Sequence, residues 1–231
     1  MDKPSDIINI LFSDLIDEMA KELVEREKVK GSEVSSIDQK REVLISQIEG
    51  SFEQKIGLLW KGMTIAVASL DDLNKKELIE GADRMVELLK KIESIDIQNT
   101  MHEQLGISEK TINAIYRIGY QLYSEGSILE ARAVLSLVTF LYPALNDFWF
   151  LLGLCEHRLG NYEEALLSYG MCIGCAPEDP RGYFWTVKAA YHMKNEALMG
   201  EVLEMLRMVI EHSDQEQKWA ERYVALKKEV S

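Results

Sequence analysis

Proline is scarce in this chain, with four among 231 residues, and alternating runs of β-branched residues are missing. The pattern points to an all-α protein. Long apolar runs are missing as well. None approaches the ~18–20 residues that span a bilayer. The opening stretch MDKPSDIINILFSDLIDEMAKELVEREK threads acids through its apolar positions, without the basic start and unbroken apolar core of a signal peptide. The expected location is the cytoplasm, with no stable membrane insertion. Positive charge is in short supply: 26 Lys and Arg face 39 Asp and Glu, a formal net charge of −13. That balance argues against nucleic acid or an anionic membrane as the main partner, because like charges repel.

Cysteine is limited to Cys155, Cys172 and Cys175, which excludes a disulfide framework. The CIGC pair lacks the strand-to-helix context of a redox motif and the four ligands of a structural zinc. It reads as packing, with Cys172 as a small buried hydrophobe. The four histidines, His102, His157, His192 and His212, are scattered and show no H-E-x-x-H spacing. There is no Gly-rich phosphate loop and no nucleophile elbow. The carboxylates read as solvated helix faces. The expectation is a protein that is not an enzyme and holds neither metal nor cofactor.

What is present is a period. Trp149, Leu152, Gly153, Ala165, Tyr169 and Pro177 fit the 34-residue tetratricopeptide pattern W-x₂-L-G…A-x₃-F…P, with Glu156 in place of its tyrosine. One period earlier stand Ile115, Ile118, Gly119, Ala131, Leu135 and Pro143, and the turn glycine recurs as Gly126 and Gly160. Gly119 and Gly153 allow close helix approach, as do Ala131 and Ala165 from the second helix. Gly126 and Gly160 end the first helix of each pair, and Pro143 and Pro177 stop the second. A third unit from Pro180 is degenerate: Val187 stands at the close-approach position, Lys194 replaces the turn glycine, and Met199 replaces the alanine. Its turn is expected to shift by a residue or two.

The expected architecture is therefore helical hairpins stacked into a curved solenoid. An N-terminal helical region covers 1–107, repeats lie at about 112–145, 146–179 and 180–213 within 108–213, and a capping helix occupies 214–231. Trp219, Tyr223, Val224 and Leu226 are available to cover the last repeat. In the N-terminal region, Ile7, Ile8, Leu11, Phe12, Leu15, Ile16, Met19 and Leu23 form an apolar stripe at helical spacing. A second helix is expected over Ile37 to Trp60. A third, carrying Leu78, Ala82, Met85, Leu89 and Ile92, follows the cap-like SLDDL, and Ser108 is a cap for the first repeat helix. This region reads equally as an intramolecular cap or as a dimerisation element.

In a repeat stack the first helix of each pair lines the concave face. Tyr116, Tyr120 and Tyr123 share one side of the first such helix. Phe150, Leu154 and His157 take the equivalent places in the second repeat, and Phe184, Lys188 and Tyr191 in the third. Together they describe an aromatic groove suited to an extended apolar segment. Each aromatic taken alone reads at least as well as core. The tyrosine row favours the groove, because Ile115, Ile118 and Leu122 fill the core positions beside it. A clamp for acidic C-terminal tails needs Lys, Arg and Asn on these helices, and tyrosines hold the first of those places.

The motifs GIS, IYRIGYQLYSEG, FLLGLCEHRLGNYEEALLSYG and EDPR, spread over about half the chain, resemble the class II chaperones of bacterial type III secretion, the LcrH/SycD-like group. The resemblance implies a cytoplasmic, non-enzymatic chaperone that holds hydrophobic translocator proteins soluble before export. It implies an extended client segment bound at Tyr116, Tyr120 and Tyr123, then Phe150, Leu154, His157, Phe184 and Tyr191. It also implies a homodimer formed through N-terminal helices. The region of about 105 residues before the repeats departs from the family, whose segment there is short. KGMTIAVASLDDL is similar to the apolar stretch that precedes the family's first repeat, but lies well upstream. The alternative is a general repeat scaffold for another protein partner.

Overall fold

A computed structural model describes residues 36–89, 100–212 and 216–230, together with Lys21 and Val24. All residues of the Ile7–Leu23 stripe, and Ile92 of the expected third helix, lie outside the described residues. Among the described residues every regular element is a helix: α1 Ile37–Ser69, α2 Asp72–Leu89, α3 Met101–Gln104, α4 Glu109–Ser124, α5 Ile128–Leu141, α6 Asn146–Arg158, α7 Tyr162–Cys175, α8 Pro180–His192, α9 Glu196–Glu211 and α10 Glu216–Val230. The chain divides into two units at Leu58/Leu59. In the first, α1 begins with a reciprocal cap: Gln39 N–H donates to Ser36 Oγ at 3.1 Å, and Ser36 N–H to Gln39 Oε1 at 2.9 Å. The helix runs nine residues beyond the Trp60 expected from the apolar spacing.

The second unit, Leu59–Ser231, is built of helix pairs stacked on their sequence neighbours: α4/α5, α6/α7 and α8/α9. All three pairs turn in the same way. Ser127, Asn161 and Asn195 donate their N–H to the carbonyls of Leu122, Glu156 and Ala190, each at 2.9 Å. Gly126, Gly160 and Lys194, one period apart, hold φ of 85°, 78° and 56°. The turn shift expected in the third repeat does not occur. Lys194 accepts a left-handed conformation that costs an ordinary residue ~1–2 kcal/mol, because stacking fixes the register more strongly than one residue's preference opposes it. The entry to the next pair is periodic too. Trp149 Nε1 donates to the Pro143 carbonyl at 2.7 Å, and Tyr183 Oη to the Pro177 carbonyl at 3.0 Å.

Close approach is where the pattern placed it. A Cβ added at Gly119 would lie 2.9 Å from Leu135 Cδ2, and one at Gly153 would enter the Tyr169 ring, 2.6 Å from its Cδ1. Ala131, Ala165 and Cys172 are fully buried. Burial pushes the Cys155 and Cys172 thiols up to about 12, so both stay protonated and inert. Beside the tyrosine row, Ile115 is buried, whereas Ile118 and Leu122 are only partly so.

The repeats begin at 108, yet the compact unit begins at Leu59, because the end of α1 and α2 share a core with the first repeat. Met63, Ala66, Leu70, Leu78, Leu105 and Ile107 pack with Ile112, Ile115, Val134, Leu137 and Val138. α1 lies so close on α5 that a Cβ at Gly62 would run into the Ala133 carbonyl, 2.8 Å from its carbon and 3.2 Å from Leu137 Cβ. Lys61 pairs with Glu130 at 3.5 Å alongside. α2 grips the start of α4 through Glu77, which accepts from Ser108 N–H at 2.8 Å, while Ser108 Oγ caps Thr111 N–H. At the far end α10 buries Trp219, Leu226 and Val230 against α8 and α9, with Tyr223 partly buried. Val224, expected to join that cover, is exposed.

Candidate functional site

The first helices of successive pairs lie side by side, α4 against α6 and α6 against α8. Core positions alternate along them with the eight residues singled out from the sequence. Ile112 and Ile115 on α4, Leu151 and Cys155 on α6, and Tyr183 and Val187 on α8 are buried. All eight candidates keep solvent-accessible surface. Tyr120 and Tyr191 are the most open, at 57% and 43%.

The other six lie half in the stack. Tyr116 sets its ring 4.8 Å from Phe148, and burial raises its hydroxyl above the ordinary tyrosine range. Tyr123 carries the Arg158 guanidinium 4.1 Å over its ring. Tyr116, Tyr123 and Leu154 border one apolar cluster around Leu135, Leu151 and Leu152. Phe150 has the Arg181 guanidinium at 4.9 Å from its ring centre. Arg181 is anchored by Asp147 at 2.7 Å and by Asp179. Among the described residues, no two of the eight make a ring-to-ring contact. Each ring in such a contact meets a residue outside the set.

The third repeat departs most from an open row. Phe184 faces Trp219 of α10 at 5.8 Å, and Lys188, which stands where the second repeat has Leu154, pairs with Glu229 at 3.0 Å. The capping helix thus covers part of the surface that the period assigned to this repeat. Trp185, His192 and Tyr162 were missed. They enclose His157 between the second and third repeats, at 5.1, 5.4 and 5.2 Å between ring centres. Tyr162 and His192 stack at 4.8 Å. For Trp185 and His192 the available signal was the run of aromatics in GYFWTVKAAYH, which does not include Tyr162. Translating the first-repeat row by two periods selected Phe184 and Tyr191 and passed over their neighbours.

This enclosure fixes the charge of His157. Burial, then His192 and then Lys188, holds its imidazole down to about 4. Nδ1 has no hydrogen-bond partner among the described residues. The fold therefore favours the neutral ring, and the unfolded chain takes up the proton first. Stability from this group is complete above the ordinary histidine value of ~6.5 and declines as pH falls from there towards about 4. Urea unfolding at pH 7.5 and 5.0 is expected to show about 1–2 kcal/mol of loss, discounted for the ring's partial solvent access, that His157→Gln lacks. Equal losses in both proteins would remove this account of His157.

No protein-family model matches the sequence, and no curated protein matches it. Solved structures do match in fold. The type III secretion translocator chaperone SycD of Yersinia enterocolitica superimposes with a TM-score of 0.53 at 20% identity, over 57% of this chain and 98% of SycD. PcrH, of Pseudomonas aeruginosa, in complex with the chaperone binding region of PopD gives 0.51 at 23%, over 54% of this chain and 94% of PcrH. A chain of a T3SS complex from Aeromonas hydrophila gives 0.55 at 18%, over 63% and 93%. The chain therefore shares the fold of the helical translocator chaperones of type III secretion.

Proposed function

We propose that this protein is a cytoplasmic type III secretion chaperone. It binds an extended segment of a hydrophobic translocator along α4, α6 and α8 and keeps that client soluble before export. The observation that carries the reading is the row of partly exposed aromatics on three adjacent helices, with Tyr120 and Tyr191 open to solvent at 57% and 43%. Rigid rings offer contact area with little entropy to lose, and their hydroxyls can bond a client's main chain. Fold likeness adds support, since related structures hold the chaperone binding regions of PopD and PopB and a peptide of the translocator YopD. The function is binding, with no catalytic step, and dimerisation through the N-terminal region belongs to the same proposal.

The test is co-expression with a translocator-type client bearing long apolar segments. Replacing Tyr116, Tyr120 and Tyr123 together by Ala is expected to lower client affinity about tenfold per ring that is a true anchor and to drive the client into the pellet. Tyr116 also supports Phe148, so Tyr120→Ala with Tyr191→Ala, which touches only open rings, separates binding from folding. Unchanged client solubility in both variants, with unchanged melting, would reject the surface.

A further inference from the structure

The second helices of the first two repeats, α5 and α7, are equivalent by period but are treated differently by the rest of the chain. On α5, Ala133 and Leu137 are 0% and 2% exposed, and α1 crosses beside them at Gly62. One period on, Leu167 and Met171 occupy these places on α7 and are 73% and 45% exposed. Glu130, which pairs with Lys61 of the covering helix, has Glu164 as its counterpart, exposed beside Glu163.

Two further residues mark this face. Gly170 and Gly174 flank Met171 at helical spacing on the exposed side of α7, and a Cβ at either would meet nothing within 4 Å. Gly170 is interior to α7, where glycine lowers helix stability, and no intramolecular approach compensates there; Gly174 lies in the last turn. A second helix crossing at Met171 would use the room, as α1 uses the closeness of Gly62 on α5. Between Tyr162 and Cys175 there is no Lys or Arg, so the face is apolar with an acidic end. Two copies of this face fit poorly against each other, because Glu163 and Glu164 would oppose their own kind on a chain of net charge −13.

We propose that the outer face of α7, made by Leu167, Gly170, Met171 and Gly174, is a docking surface for an amphipathic helix of another polypeptide that presents a small residue at the crossing with a lysine beside it. The occupant reproduces what α1 supplies to α5: apolar side chains over the leucine-type position, close backbone contact at a small residue, and a lysine for Glu164. The surface belongs to the second helices of the pairs, whereas the aromatic row belongs to the first. It therefore stands whether or not the row holds a client.

The probe is a fluorescent peptide of residues 51–72, the chain's own covering helix, titrated by anisotropy into the full-length protein. Because α5 is already covered, one peptide per chain is expected to bind. Leu167→Glu with Met171→Glu should weaken binding at least tenfold. Gly170→Leu with Gly174→Leu should weaken it as much while raising the melting temperature, which separates loss of docking from loss of fold. A Gly62→Leu peptide should bind at least tenfold more weakly, and Tyr120→Ala in the protein should change nothing. The proposal is overturned if the wild-type chain does not bind the peptide, or if the α7 variants bind it equally well. It is also overturned by self-association that the Leu167→Glu, Met171→Glu variant abolishes. Concentration-independent hydrogen-exchange protection of this face in the chain alone would overturn it too.

Discussion

Gly62→Leu is expected to lower the stability of the protein by about 3–5 kcal/mol, the largest loss anticipated for a single change. A side chain there meets the Ala133 carbonyl, which is α5 main chain and cannot rotate aside, and then Leu137 Cβ at 3.2 Å. α1 must lift away, exposing Met63, Ala66 and Leu70 from the core they share with the first repeat. At Gly153 the obstacle is the buried Tyr169 ring, a side chain rather than main chain, and Gly153→Leu is expected to cost about 1–3 kcal/mol. Gly57 on the same helix has nothing within 4 Å of a built Cβ, and Gly57→Leu should be neutral or mildly stabilising. Urea unfolding of the three variants provides the check. Hydrogen exchange should place the Gly62→Leu damage in residues 59–70 and 128–141. Indistinguishable stabilities for Gly62→Leu and Gly57→Leu would refute the contact.

Glu156→Ala is expected to cost about 2–4 kcal/mol. Glu156 is buried where the repeat pattern ordinarily has tyrosine, and its carboxylate accepts from Arg132 Nε at 2.7 Å and from Asn161 Nδ2 at 2.8 Å. Arg132 belongs to α5 and Asn161 to the turn before α7, so one carboxylate ties the first repeat to the second. Removing it leaves a partly buried guanidinium and an amide without acceptors, and the desolvation already incurred is no longer offset. Glu156→Gln keeps one carbonyl acceptor and should lose less. A double-mutant cycle with Arg132→Ala should return a coupling of about 1–3 kcal/mol. Stability of Glu156→Ala within half a kcal/mol of wild type would mean that the pair contributes nothing to the joint.

Leu154 and Lys188 illustrate how far the period carries. They occupy the same place in successive repeats, yet Leu154 borders an apolar cluster while Lys188 is paired with Glu229 of the capping helix. Translation by one period identifies which side of a helix a residue is on. It says nothing about what a later helix lays across that side. His157 shows the same limit, since Trp185 and His192 reach it from the next hairpin.

By itself the sequence determined the helical class and the hairpin register of the first two repeats. These follow from local rules: small residues where helices meet, positive φ where a hairpin turns, proline where a helix stops. Even Lys194 obeys the register. The tertiary structure alone decided that α1 covers the first repeat through Gly62 and that α10 covers part of the third. It likewise left the equivalent face of α7 bare. Those outcomes rest on contacts between residues far apart in the chain, such as Gly62 with Ala133 and Phe184 with Trp219. Shape at such distances is set by which surfaces fit together, and no local spacing encodes it.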